Sequence, residues 1–395
     1  MKYQLTWNLF GRKAGIVFAS LLCSIFLFSP GTILAFDYVD NPNNPVFDGG
    51  QSWDNLAVIS PVVHYDGDSY KMWFAGRNVG NPIQIGYATS PDGVIWTENE
   101  NPVLTVGASG SFDSANLQKL TVLKEDTGYK MWYTASDASG VQRLGLATSL
   151  DGINWSKYDQ NPVLVPGGTG SWNEALVKGP SVLKIDGIYF MWFIGQSAEH
   201  EPGIGLAYSS DGIIWEEDAN NPVMQRVPGN AWESQYSTGP HVSQREDGSF
   251  LMVYMGYDGT HRRIGMAHSQ NGIDWNRNTH NPIVAIGEAG SWNADVSSDP
   301  FALILEPGHY AFWYTGNSNY ATSTSWFIGQ GDLNFESEGD INYDYQLDVS
   351  DIIQLVNIIL GTQSGSDYQY TAGDMNQDSS LTVSDLIILV ETILQ

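Results

Sequence analysis

The chain has 395 residues, with 44 acidic side chains against 17 basic ones, a net charge of −27 and a single cysteine. No basic cluster or stripe occurs beyond the first 13 residues, so the electrostatic footprint of nucleic-acid binding is missing. One cysteine cannot build a disulfide framework, and 395 residues are long for one domain.

In chain order, Lys2, Arg12 and Lys13 precede an apolar stretch from Ala14 to Phe28, and Ile33-Leu34-Ala35 forms a small-residue cleavage site. Fifteen apolar residues fall short of the roughly 20 that a spanning helix needs. Residues 1–35 therefore read as a signal peptide. The mature protein is expected to be secreted, with no membrane anchor and without Cys23.

From there a unit repeats. Asn-Pro pairs stand at Asn44-Pro45, Asn101-Pro102, Asn161-Pro162, Asn221-Pro222 and Asn281-Pro282. Between them recur an aromatic run (Tyr70 to Phe74, Tyr129 to Tyr133, Tyr189 to Phe193, Phe250 to Tyr254, Tyr310 to Tyr314) and a Ser-x-Asp/Asn-Gly-x-x-Trp hairpin. A fixed period of about 60 residues made of short β-patterned runs implies one four-stranded blade per unit. The aromatic runs read as second strands, the segments ending in Asp92-Gly93, Asp151-Gly152, Asp211-Gly212 and Asn271-Gly272 as third strands, and Trp96, Trp155, Trp215 and Trp275 open the fourth. The fifth unit ends near Gln330 without a fourth strand. Tyr38 precedes Asn44 as Trp155 precedes Asn161, so Phe36 to Val46 supplies it. The expected fold is an all-β, five-bladed propeller over 36–331, closed by an N-terminal strand that removes a sheet edge.

Composition shifts after a short linker at 332–338. From Gly339 to Gln395 there are nine acidic residues and no Lys, Arg or His. Two loops place oxygen-bearing residues at calcium-loop spacing: Asp340, Asn342, Asp344, Gln346, Asp348 and Asp351, then Asp374, Asn376, Asp378, Ser380, Thr382 and Asp385. Each is followed by an apolar helical run, and the copies are offset by 34 residues. This segment, 339–395, resembles a type I dockerin, a small all-α module. The resemblance implies two Ca2+ sites and a cohesin domain as partner, with Val349-Ser350 and Val383-Ser384 as two equivalent contact pairs. Position 6 of each loop, usually glycine, is Tyr345 and Ser379, which is expected to weaken calcium binding.

The repeats resemble the five-bladed glycosidase superfamily of arabinanases, β-xylosidases, invertases and levansucrases. That likeness implies carboxylates on the innermost strands around an axial funnel. Aligning the units on Trp53, Phe112, Trp172, Trp232 and Trp292 brings Ser60, Lys119, Gly179, Gly239 and Asp299 into register, each followed by Pro or Leu. Only Asp299-Pro300 matches the superfamily's Asp-Pro signature, and its Glu-Gly-Pro signature falls on Lys178-Gly179-Pro180 or Thr238-Gly239-Pro240. Asp299 is thus the expected base, and Glu174 or Glu233 the expected acid. Arg77, Asp137, Lys178, His241 and Asp258 are the expected substrate-binding residues, with Glu199 on one of the same loops and His200, His261, Arg262 and Arg263 on the same face.

Three functions fit: a secreted glycoside hydrolase in an extracellular or cell-surface complex, a non-catalytic glycan-binding or assembly propeller, and a glycoside phosphorylase with a basic phosphate pocket like that of inverting mannoside phosphorylases.

Overall fold

The computed structural model describes residues 32–33, 36–199, 201–306, 308–322, 324–335, 338–342 and 346–394. The signal peptide (apart from Thr32–Ile33), His200, Asp344, Tyr345 and the Gln346 side chain lie outside them. Two compact units emerge, one spanning Asp37–Asn334 and one containing Phe335–Gln395.

In the first unit each repeat folds into four antiparallel strands. The first strands are Ala57–Tyr65, Asn116–Glu125, Leu176–Ile185, Tyr236–Gln244 and Val296–Glu306, and the second strands are Tyr70–Arg77, Gly128–Ser136, Ile188–Gln196, Phe250–Tyr257 and His309–Asn317. The third strands are Gln84–Ser90, Gln142–Ser149, Gly203–Ser209, Arg262–Ser269 and Phe327–Phe335. Short fourth strands follow at Thr97–Glu98, Trp155–Lys157, Glu216–Glu217 and Asn276–Arg277, and the last set takes Phe36–Asp40 beside Phe327–Phe335. Residues 332–335 therefore belong to a strand, and the linker expected from 332 cannot begin before 336.

The Asn-Pro repeat has a specific task. Asn161 Oδ1 accepts from Leu146 N and its Nδ2 donates to Leu146 O, both at 2.8 Å, so the side-chain amide extends the third strand as a backbone would. Asn221 clasps Leu206 and Asn281 clasps Met266 in the same way. In the last set the clasp on Gln330 comes from Asn44, 286 residues away.

The aromatic second strands lie between neighbouring sheets, with Trp73, Trp132, Trp192 and Trp313 buried. Each indole Nε1 donates to a hairpin glycine carbonyl of the next set: Trp73 to Gly152 (2.7 Å), Trp132 to Gly212 (2.8 Å), Trp192 to Gly272 (2.9 Å) and Trp313 to Gly93 (2.9 Å). Glycine is required there, because φ is +77° at Gly93 and a Cβ would stand 2.9 Å from Trp313. The hairpin Asp is a turn device: Asp92 Oδ1 accepts from Val94 N and Ile95 N. Each first strand packs against the first strand of the next set, and the fifth against the first.

In the second unit, helix α1 (Val349–Ile359), α2 (Asp367–Gly373) and α3 (Val383–Ile393) all start at capping boxes. Ile341, Leu347, Ile352, Leu355, Tyr368, Met375, Leu386 and Leu389 form their common core. Gln346–Leu347 pairs antiparallel with Thr32–Ile33. No helix among the described residues is long and apolar enough to cross a membrane.

Candidate active site and calcium-loop module

Every first strand breaks register at an equivalent place, between Ile59 and Val62, Gln118 and Leu120, Lys178 and Ser181, Thr238 and His241, and Ser298 and Phe301. The bulged residue has positive φ in all five: Ser60 +55°, Lys119 +41°, Gly179 +60°, Gly239 +65° and Asp299 +47°. Two sets use glycine, which adopts this conformation without penalty; the other three hold ordinary side chains in it, and such strain concentrates at functional sites. Two of the bulge amides are captured by the adjacent set, Ser60 N by Thr315 Oγ1 (2.9 Å) and Gly179 N by Thr134 Oγ1 (2.8 Å).

The three bulge side chains meet. Asp299 accepts from Ser60 Oγ at 2.9 Å through Oδ2 and from Lys119 Nζ through Oδ1. Burial pushes the Asp299 carboxyl up, but the Lys119 ammonium and the Ser60 hydroxyl outweigh it and hold the group below its ordinary value. Below the bulges the five strands enclose a narrow channel of about 40 Å³, and above them opens a cavity of about 750 Å³.

Asp299, Lys119, Lys178, Arg77, Arg262, Glu199 and Glu201 all line this cavity, beside Tyr236, Tyr320 and Trp326. Glu201 is ion-paired with Arg226. Burial, then the neighbouring Lys119 ammonium, lower the Lys178 pKa to about 8, against a partial offset from Asp299. The Arg262 guanidinium lies 4.2 Å from the Tyr320 ring centroid, with its buried Nε unpartnered.

Five expected site residues are not among those lining the cavity. Glu174 is exposed and accepts from Gly170 N at 2.7 Å within its own turn. Glu233 is fully buried, accepting from Ser237 Oγ at 2.6 Å and pairing with Arg277 at 2.8 Å. Its role was readable from the repeat: Glu233 follows Trp232 as Asp54 follows Trp53 and Asp113 follows Phe112. The fourth strand answers in register, Lys157 holding Asp113 at 2.5 Å as Arg277 holds Glu233. Asp137 pairs with Arg143 (2.7 Å) and Asp258 with Arg263 (2.6 Å), the same loop-shaping ion pair in two sets. His241 lines the narrow channel, its Nε2 2.9 Å from Ala302 O, and burial lowers its pKa to about 4. Missed by sequence reasoning were Tyr236, Tyr320 and Trp326, which share no repeat position that would mark them.

In the second unit, Asp351 Oδ1 accepts from Ile341 N (2.8 Å) and Asn342 N (3.2 Å), and Asp385 Oδ1 accepts from Asn376 N (3.2 Å). Asp374 and Asn376 fold their loop by accepting from Asp378 N, each at 3.0 Å. Asp340, Asp351 and Asp385 are buried in a segment with no cationic side chain, a setting in which a bound cation would offset their charge. Carboxylate, amide and hydroxyl oxygens are the hard donors that calcium takes. Residues 338–394 match the dockerin type I domain family. The C-terminal module is a dockerin.

For the first unit the likenesses are more distant. A 1,2-β-oligomannan phosphorylase of Thermoanaerobacter sp. (strain X514) is 25% identical over 225 residues, 54% of this chain and 69% of that protein. An A type blood N-acetyl-α-D-galactosamine deacetylase of Flavonifractor plautii is 28% identical over 202 residues, 45% of this chain and 23% of that protein. Among solved structures, one from the GH130 family of mannoside phosphorylases, described as containing glycoside hydrolases that target β-1,2 mannosidic linkages in Candida mannan, superposes with a TM-score of 0.59 at 17% identity, covering 76% of this chain and 96% of that one. A thermostable family-43 glycoside hydrolase does so with a TM-score of 0.59 at 16% identity, covering 75% and 96%. The dockerin thus accompanies a mostly β unit with the propeller-like fold of glycoside hydrolases and phosphorylases.

Proposed function

We propose that the chain is a secreted glycoside hydrolase delivered to an extracellular multi-enzyme complex by its dockerin. In this reading residues 1–35 are removed on export, the five four-stranded sets are the blades of a closed propeller, and the dockerin holds two Ca2+ ions and docks on a cohesin. The observation that carries the hydrolase reading is the convergence of the bulged residues Ser60, Lys119 and Asp299 on one cavity. It places a single strained, ionised carboxylate at the neck of a pocket large enough for a sugar unit.

Asp299 serves as the base that takes a proton from water, since Lys119 and Ser60 keep its carboxyl charged at neutral pH. Glu199 replaces Glu174 and Glu233 as the proposed proton donor to the leaving oxygen. It lines the same cavity and has no ion pair among the described residues. Two carboxyls about 6.5–9.5 Å apart when substrate is bound leave room for water and invert the anomeric centre. Tyr236, Tyr320 and Trp326 offer aromatic faces to sugar rings.

Phosphorolysis is a second reading, favoured by the four cations lining the cavity and by the phosphorylase relative. A screen of the purified full chain on arabinan, xylan, fructan and mannan, with and without inorganic phosphate, separates the readings. Phosphate-independent release of reducing sugar supports hydrolysis, an absolute phosphate requirement supports phosphorolysis, and inertness on every glycan supports a binding propeller.

A further inference from the structure

The cavity is built for an anion. Four cationic side chains line it, and only Lys119 has a carboxylate partner in it, Asp299. Lys178, Arg77 and Arg262 make no ion pair with any described carboxylate, while Glu201 is neutralised by Arg226. Lys178 and Arg262 are half-buried, and the one carboxylate that acts on both, Asp299, is already paired with Lys119; the cavity wall thus carries a surplus of positive charge that an anionic ligand would offset. Lys178 stands at the position where the superfamily signature has glutamate, so the charge of this wall is reversed relative to that pattern.

We infer that the substrate of this cavity is an acidic glycan whose uronate carboxylate is held by Lys178, Arg262 and Arg77. The inference rests on the glycoside-hydrolase reading. A carboxylate is planar and matches the guanidinium fork of Arg262, which lies 4.2 Å from the Tyr320 ring centroid. A phosphate ion has the same oxyanion chemistry, but it would arrive as a co-substrate rather than as part of the sugar. In an exported protein its product, a sugar phosphate, would be released away from the cell interior. Asp299 is free to act on the glycosidic bond because its own counter-ion, Lys119, is a separate residue from those assigned to the substrate.

The test is calorimetric titration of the full calcium-loaded chain with oligogalacturonides and glucuronoxylan oligosaccharides, each against its carboxyl-reduced counterpart, and with inorganic phosphate. At least one acidic member should bind about tenfold or more tighter than its reduced form. Lys178→Met and Arg77→Gln should each shrink that preference, the acidic member losing more affinity than its reduced form. Two substitutions on different strands guard against a misfolded variant. Equal binding of acidic and reduced members, no binding of either acidic series, or a preference untouched by both substitutions overturns the inference, as does phosphate binding coupled to phosphate-dependent turnover. A chain that prefers acidic members but cleaves none sinks only the hydrolase reading; one that cleaves neutral glycans without preference sinks only this inference.

Discussion

Lys119 and Asp299, 180 residues apart, occupy the same position of the repeat, share the same left-handed backbone and form an ion pair with each other. A repeated bulge has thus been given opposite charges in two of the four-stranded sets. Asp299→Asn should lower turnover by on the order of 10²-fold or more with the melting temperature nearly unchanged. Lys119→Met removes the charge that keeps Asp299 ionised. Its pKa then rises, and the acid limb of the pH–rate profile should move to higher pH, measured from pH 3 to 7; an unmoved limb would place the base elsewhere.

Glu199 and the first carboxylate expected from sequence for the leaving group, Glu174, give opposite outcomes. Glu199→Gln should cost on the order of 10²-fold in rate on substrates with poor leaving groups and much less on an activated aryl glycoside, which needs no proton. Glu174→Gln should leave both rates within about twofold. The reverse pattern would return the role to Glu174.

In the first set, the pair that is acid–base in the second and fourth sets is acid–acid. Glu98 stands where Lys157 and Arg277 stand, and burial, then its hydrogen bond to Asp54, push its carboxyl well above the ordinary value. A raised carboxyl pKa binds a proton in the folded state that the unfolded chain has released, so stability falls as pH rises above about 4.5. Glu98→Gln should therefore raise the melting temperature by a few degrees at pH 8 and by less at pH 5, read by differential scanning calorimetry.

In the second calcium loop, Ser379 takes the turn conformation that glycine adopts freely, with φ +65°. Ser379→Gly should relieve about 1 kcal/mol of backbone strain. Calcium affinity, titrated on the full chain, should tighten several-fold; weaker binding would mean that the serine contributes more than it costs.

Val383, Ile387 and Ile353 are exposed apolar residues on the helices that follow the loops, and Ile353 and Ile387 are equivalent across the 34-residue offset. Replacing Val349-Ser350 or Val383-Ser384 alone by Asp-Asp should leave cohesin affinity within a few-fold, while replacing both should abolish it. Chelation of calcium should abolish it as well, since the carboxylates of both loops then repel one another. If one pair alone carries binding, the two docking modes are not equivalent.

Much of this molecule is written locally. The 60-residue period, the aromatic second strands and the Asp-Gly hairpins are short-range signals, and each sits where its backbone chemistry requires. Asn44 could be matched to the last repeat because its clasp uses the same residue type as Asn161 and Asn221. The dockerin loops were legible because ligand spacing is itself a local code. The bulge position of Asp299 was likewise visible by aligning repeats, but its engagement with Lys119 was not. Which carboxylates share a cavity depends on which sets face one another, and sequence distance carries no record of that. Glu174 and Glu233 were close to Asp299's position in the repeat yet turn into a loop and into a buried Arg277 pair. Glu199, Tyr320 and Trp326 reach the cavity from connections whose path only the packing of the sets fixes. Sequence determined the strands, the repeat and the calcium loops; the tertiary structure decided which charges meet, because electrostatic pairing acts through space and not along the chain.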